Sequence, residues 1–238
     1  MVDNLLNASK IKINGVYTDE YGIYPKGRYE VPTPEEDVER IYIRGRDGEL
    51  TKKYGYRNID LPIRFYMKDE SFKTAFRKAK TFILNAKTLQ VDDDEEVYYK
   101  VKSVTVRPAE NVMKTFGEFD VEFTLDPFQY EVNNPTETIT SQTTIHNPGY
   151  EALPVITAHM SGTGNIYVNE QKVTIQNING TITIDSEMQN AYRIEGGYIV
   201  NLNKHMIGKF PILEHGQNMI SFDGDISKIE LIKNVRWV

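Results

Sequence analysis

Cysteine is absent from this 238-residue chain. That excludes disulfides, thiolate metal sites and a thiol nucleophile together, and it fits folding in a reducing cytoplasm. Tryptophan occurs once, at Trp237, and histidine four times, at His146, His159, His205 and His215. No two histidines fall in the HxH, HxxxH or HExxH spacing that presents two imidazoles to one metal. No apolar run approaches 18 residues and no basic-then-apolar leader follows Met1, so neither a membrane span nor a secretion signal is expected. The net charge of −6 and a pI near 5.4 argue against a sequence-independent grip on nucleic acid. No serine stands in GxSxG. Ser161-Gly162-Thr163-Gly164 lacks the third glycine and the following helix of a dinucleotide loop, and it reads as a hairpin turn.

Charge is unevenly spread. Residues 1–130 carry 21 Lys+Arg and 23 Asp+Glu, whereas residues 131–238 carry 7 and 11. The density falls by about half across Asn133-Asn134-Pro135-Thr136-Glu137-Thr138, a linker-like segment that is the expected domain boundary. The predicted domains are residues 1–132 and 139–238.

The first half reads as α+β. Short strands are expected at Ile11–Val16 and Tyr17–Ile23, and a strand at Ile59–Met67. Residues 25–40, with three prolines, suit neither strand nor helix. Ile41–Arg44 and Leu50–Tyr56 flank Gly45-Arg46-Asp47-Gly48-Glu49, and Asp47-Gly48 suits a tight hairpin turn. The hairpin is mostly charged or tyrosine, so it lacks an apolar core face and is expected to project into solvent or onto a partner. Phe72, Ala75, Phe76, Ala79, Phe82 and Ile83 form one stripe of a helix, with Lys73, Arg77, Lys78 and Lys80 off it. Asp69 or Ser71 is the expected cap and Asn85 the stop. Val97–Arg107 and Phe116–Leu125 read as strands. In the second, Phe119, Val121, Phe123 and Leu125 alternate with polar residues. Pro127 in Asp126-Pro127-Phe128-Gln129-Tyr130 is expected to end the second strand, because proline cannot donate to a sheet ladder.

After residue 138 the pattern is many short strands, predicted at Ile139–Ile145, Pro154–Met160, Ile166–Asn169, Lys172–Ile175, Thr181–Ile184, Tyr198–Leu202, Met219–Phe222 and Lys228–Trp237. The turn signals are Asn147-Pro148-Gly149, Gly162-Thr163-Gly164, Asn179-Gly180, Gly196-Gly197 and Asp223-Gly224. This spacing predicts a β-sandwich.

The acidic run Asp92-Asp93-Asp94-Glu95-Glu96 fails the calcium-loop test, since Val97 and Ser103 stand where glycine and the bidentate acid belong. A solvated turn is the expectation. Asp120 and Glu122 share one strand face, whereas glycosidic chemistry needs carboxylates across a cleft. Of the 15 tyrosines, Tyr54 and Tyr56 in the polar hairpin suit either strand propensity or an interface. Tyr98 and Tyr99 must point oppositely, so one ring faces inward.

The order of these parts resembles the distal tail protein (Dit) family of long-tailed, non-contractile bacteriophages. The resemblance rests on hairpin Arg44–Leu50, strand Ile59–Tyr66, helix Phe72–Leu84, acidic turn Asp92–Glu96 running into Tyr98-Tyr99, and strand Phe116–Leu125 with its DPFQY end. In the second half it rests on Asn147-Pro148-Gly149, Pro154-Val155-Ile156, Phe210-Pro211-Ile212-Leu213 and Gly216-Gln217-Asn218. It implies a mainly β chain: a barrel- or sandwich-like tail-hub domain with one helix, then a galectin-like β-sandwich with no room for an inserted sugar-binding module. It further implies a virion protein at the distal end of the tail, made in the host cytoplasm and forming a hexameric ring. That ring would join the tail tube protein to a tail-associated lysin or a fibre or receptor-binding protein. Residues 25–58 would be an arm lying on the neighbouring subunit. Its suspected contact residues are Arg40, Arg44, Arg46, Asp47, Gly48, Lys52, Lys53, Tyr54 and Tyr56, with Asp92, Asp93, Asp94, Glu95 and Glu96 as the complementary acids. No catalytic residue, metal or cofactor is implied. The competing reading is a carbohydrate-binding β-sandwich protein; a hydrolase ranks below both.

Overall fold

The structure, a computed structural model, describes residues 10–28 and 30–238. Residues 1–9 and Tyr29, although within the predicted first domain and arm, lie outside them. The chain divides into two compact units, residues 1–132 with Val238, and 133–237.

The first unit opens with β1 (Ile11–Ile13), β2 (Val16–Tyr17) and β3 (Ile23–Pro25), with a 3-10 turn at Thr18–Tyr21 where strand was expected. Strands β4 (Glu36–Tyr42) and β5 (Glu49–Tyr56) form a separate hairpin. Then come β6 (Ile59–Lys68), α1 (Phe72–Leu84), β7 (Thr88–Val91), β8 (Asp94–Val106), β9 (Glu110–Met113) and β10 (Phe116–Glu131). An antiparallel sheet runs β2-β1-β7-β8-β10-β6-β3. Two corrections follow at once. Pro25 ends a strand paired to Phe65, so it belongs to the sheet and not to the arm. Glu36–Arg40, expected to be irregular, is strand because β5 supplies its partners.

β6 and β10 pair without a slip from Phe116↔Lys68 to Leu125↔Ile59. Their alternation buries Ile59, Leu61, Ile63, Phe65 and Met67 against Phe119, Val121, Phe123 and Leu125. Helix α1 covers this face with Phe72, Ala79 and Ile83 buried and Phe76 edge-on to Phe119 at 4.9 Å. Each such buried aliphatic or aromatic side chain contributes about 1.5–3 kcal/mol. Ser71 stands at the helix N-cap without a side-chain bond; Asp69 accepts the Ser71 N–H at 2.6 Å and shapes the turn before it. Tyr99 is the inward ring of its pair.

Pro127 does not end β10. Pairing with β6 stops at Leu125, but pairing with β8 resumes beyond a bulge: Leu125↔Val101, then Gln129↔Tyr99 and Tyr130↔Tyr98. Proline is tolerated at a bulge because the extra residues leave the ladder there. Buried Asp126 locks the bulge. It accepts from the Tyr130 hydroxyl at 2.9 Å and pairs with Lys102 Nζ at 2.7 Å.

The second unit holds β11 (Thr136–Ile139), β12 (Thr143–Asn147), β13 (Val155–Val168), β14 (Gln171–Asp185), β15 (Asn190–Glu195), β16 (Tyr198–Asn201), β17 (Met206–Gly208) and β18 (Gly216–Ile232). The sheet order is β11-β18-β13-β14-β15-β16, with β12 also on β18 and β17 on β14. Three of the expected turns are not turns. Gly162-Thr163-Gly164, Asn179-Gly180 and Asp223-Gly224 lie inside β13, β14 and β18, each of which is one long strand where two short ones were expected. The expected single strand Ile139–Ile145 is instead the end of β11 and most of β12.

These glycines cluster across the sheet: Gly164 is opposite Gly224, Gly180 is opposite Met160, and Gly162 is opposite Ile178, with the register slipping near Gly162–Gly164. They form the crease at which the sheet curls on itself. Ile156, Ile182 and Ile229 on one side of the crease share a core with Ile166, Ile175 and Ile220 on the other. Gly224 has φ of +72°, and a Cβ there would stand 2.5 Å from the Thr163 carbonyl oxygen.

Gly224→Ala is therefore expected to destabilise by about 1–3 kcal/mol, from overpacking and a left-handed backbone, measured by urea unfolding. Tyr130→Phe should cost about 1.5–3 kcal/mol, because it removes a bond to a buried carboxylate. An unchanged midpoint would show that Asp126 does not hold the bulge.

Candidate functional site

The most exposed regular element of the first unit is the β4–β5 hairpin. It pairs from Glu36↔Tyr56 to Tyr42↔Glu49, with a bulge at Asp37/Val38, and belongs to neither large sheet. At roughly 3.3 Å per residue its strands extend about 23–26 Å. The loop is six residues, Ile43–Gly48, with Gly45 and Gly48 both at positive φ, so it is wider than the tight turn expected at Asp47-Gly48. Such a two-stranded element is marginal in water without a covered face.

The structure sorts the suspected contact residues. At the base, Arg57 bonds Asp37 at 2.9 Å and Tyr56 meets Phe128 edge-on at 5.8 Å, so Tyr56 anchors the hairpin to its own unit. Along the ladder, Lys53 pairs with Glu36 at 2.7 Å and Arg40 approaches Glu49 at 4.0 Å. The Tyr54 hydroxyl donates to Glu39, and Lys52 lies 4.7 Å over the Tyr54 ring. At the tip, the side chains of Arg44, Arg46 and Asp47 have no partner among the described residues. Ile41 and Leu50 are direct cross-strand partners, and with Tyr42 (75% exposed) and Ile43 they make a small exposed apolar tip. Sequence reasoning missed this patch because Leu50 lies seven positions beyond Ile43 and only the hairpin pairing Ile41↔Leu50 brings it beside Ile41-Tyr42-Ile43.

The acidic run is not wholly a turn. Asp92 and Asp93 turn the chain, but Asp94, Glu95 and Glu96 already belong to β8. Arg28 bonds Asp93 at 3.0 Å. Glu95 accepts from Lys12 Nζ at 2.7 Å and from the Tyr17 hydroxyl at 2.9 Å. The Lys12 bond, then the Tyr17 bond, hold the Glu95 carboxyl below its usual range. Asp92, Asp94 and Glu96 keep unpartnered side chains among the described residues.

On the outer face of β6 and β10, Glu118 accepts from Lys26 Nζ at 2.7 Å and from Arg64 Nε at 3.0 Å. Arg64 also stands 3.9 Å from Asp120, and Arg107 pairs with Glu122 at 3.0 Å. The Asp120/Glu122 pair thus lies on one strand face, with Arg64 and Arg107 beside it. Nothing in the sequence pattern pointed to Lys26, Arg64 and Glu118 as partners. The Lys26 bond, helped by Arg64, depresses the Glu118 carboxyl.

In the second unit two of the resemblance motifs, those holding Asn147 and Asn218, are loop-locking nodes. Asn147 is fully buried and donates to the carbonyls of Tyr150, Leu213 and Glu214 at 2.9, 3.2 and 3.2 Å. Asn218, also fully buried, accepts from the Glu214 N–H at 2.9 Å and donates to the Glu214 carbonyl at 2.8 Å. The histidines have separate local settings: His159 faces Glu230 at 3.1 Å, and His205 and His215 stand at the carbonyls of Gln176 and Gly149. Among the described residues no group of three or more potential metal ligands converges.

Lowered folded pKa means that Glu118 contributes stability above its unfolded value, about 4.3, and loses it as pH falls through the folded value. Glu118→Gln should lower Tm at pH 7, and the gap from wild type should close on acidification below that range. A gap constant from pH 7 to pH 3 would reject the ionic account.

Compared with known proteins, the chain matches no family model and no curated protein. Solved structures match it over nearly its whole length. The Dit protein of phage SPP1, described as a paradigm of the hub adsorption apparatus in phages infecting Gram-positive bacteria, superposes with a TM-score of 0.63 at 12% identity, covering 98% of this chain and 100% of that one. The baseplate of phage p2 in its activated conformation matches in its calcium form with a TM-score of 0.52 at 14% identity, covering 97% and 98%. Its strontium form gives 0.50 at 13%, covering 94% and 96%. The shared property is the fold, which is that of phage distal tail (Dit) hub proteins.

Proposed function

We propose that this chain, which has the fold of phage distal tail proteins, is a structural component of a tail hub. Its copies close a ring, hexameric in the simplest reading, that joins the tail tube protein to the tail tip and a tail-associated lysin or fibre protein. The protein works in the virion at the distal tail end after synthesis in the host cytoplasm. It holds other proteins and performs no reaction.

One observation carries this reading: a hairpin with no covered face presents Ile41, Tyr42, Ile43 and Leu50 to solvent at its far end. An arm lying across a second copy would cover that tip and repay the ordering of some twenty residues. Ring closure is heterologous, since the arm meets a different patch on the next copy. Arg44 and Arg46 are the unspent cations at the tip, and Asp92, Asp94 and Glu96 the unspent acids at the β7–β8 end. Their pairing would select register more than affinity. Gly48 and Gly45 supply the positive φ that the loop needs.

The test is the mass of the purified protein by light scattering. Replacing residues 38–53 with a short Gly-Ser turn should give monomers with unchanged far-ultraviolet strand signal, while wild type assembles. Arg44→Glu with Arg46→Glu should weaken assembly, most at low salt. Assembly of the armless variant to wild-type mass would reject the arm's role.

A further inference from the structure

Helix α1 has an outer face whose charges nothing among the described residues satisfies. Between Ser71 and Val91 the sequence holds Lys73, Arg77, Lys78, Lys80 and Lys87 and no acid, in a chain of net charge −6. All four helical cations are exposed, and none has an ion-pair or hydrogen-bond partner for its side chain among the described residues. Lys73, Arg77 and Lys80 recur at i, i+4 and i+7, one stripe of like charge whose members repel one another. A helix that needed only to cover the sheet would gain by replacing one of them with glutamate.

Beside that stripe lies a groove of about 580 Å³ lined by Asn14, Tyr21, Arg77, Lys78, Thr81, Phe82 and Asn85. Its floor is the Tyr21–Phe82 stack, with ring centroids 4.0 Å apart and planes 8° from parallel. Its polar rim is already fixed from within. Asn14 donates to the Asn85 carbonyl at 3.0 Å, Asn85 to the Thr81 carbonyl at 2.8 Å, and the Thr81 hydroxyl to the Arg77 carbonyl at 3.0 Å. The groove is therefore preformed, with an aromatic floor and a two-cation rim.

We propose that the outer face of α1 with the Tyr21–Phe82 groove is a docking surface for an acidic segment of a partner protein, one that seats an aromatic side chain on the stack and sets carboxylates against Arg77 and Lys78. This rests on the hub reading above, in which the chain holds other proteins. Charge complementarity selects the occupant: an acid-bearing partner relieves the helix's self-repulsion, and the arm, with equal numbers of acids and bases from Glu35 to Arg57, does not. The aromatic floor selects a protein over a bare polyphosphate, which would use the cations and leave the ring stack idle. An apolar anchor within a charged rim is the usual anatomy of a protein interface hot spot.

The test uses the full-length chain and fluorescently labelled poly(Glu,Tyr) copolymer as the probe, with poly-Glu and polyphosphate as comparisons. Wild type should bind poly(Glu,Tyr) with an affinity that falls as salt rises. R77E/K78E should weaken binding by about tenfold or more, while K204E/K209E, which makes the same charge change on the second unit, stays within about twofold. Tyr21→Ser should weaken poly(Glu,Tyr) and leave poly-Glu unchanged. R77E/K78E should melt no lower than wild type, since it removes like-charge repulsion; if it does not fold, R77Q/K78Q carries the same expectation for binding. No binding by wild type, equal losses in the control variant, or polyphosphate of matched charge binding as tightly would each overturn the proposal. Ring mass is a separate readout: a ring with an inert α1 face defeats this inference alone.

Discussion

Long antiparallel strands that bend without stopping are the constraint on which both units depend. An interrupted strand inside a sheet would leave buried N–H and carbonyl groups unpaired, each costing more than a single bond returns. β10 avoids this by bulging at Asp126–Phe128 and continuing to Glu131. β13, β14 and β18 avoid it by placing glycines at one shared crease. In each case the ladder is conserved and the bend is taken up locally, by a proline where the extra residues leave the ladder or by glycines where backbones crowd.

The second theme is where charge is spent. The outer face of the first sheet neutralises itself through Lys26, Arg64, Glu118, Arg107 and Glu122. Glu95 is held by Lys12 and Tyr17. Exposed pairs of this kind stabilise little individually, but they remove those surfaces from competition for a partner. Among the described residues, charged side chains left without a partner include those at the arm tip, at the Asp92/Asp94/Glu96 end of β8 and on the outer face of α1. The hub proposed above would need such separate complementary surfaces, because a closed ring requires two different patches per copy and each further partner another.

The unit with the higher charge density is also the one that carries the arm and the basic helix. The second unit instead buries its two key asparagines, Asn147 and Asn218, as loop-locking nodes. Two motifs that looked like family marks in the sequence there, Asn147-Pro148-Gly149 and Gly216-Gln217-Asn218, use their asparagines to close loops.

Much was legible in the chain alone. The helix stripe from Phe72 to Ile83, the strand alternation through Phe119–Leu125 and the uncovered hairpin follow from periodicity and composition, which are local properties; the likeness to distal tail proteins came from resemblance in the order of motifs along the chain. Strand ends, the crease and the ion-pair partners were not legible. Glycine and proline mark a departure from regular backbone, and a turn, a bulge and a bend share that mark; only the neighbouring strand, supplying or withholding a hydrogen-bond partner across the sheet, decides which one forms. Likewise the sequence counted the charges, but tertiary placement decided which of them meet a partner and which are left for another molecule, because Coulomb attraction depends on distance in space and not along the chain.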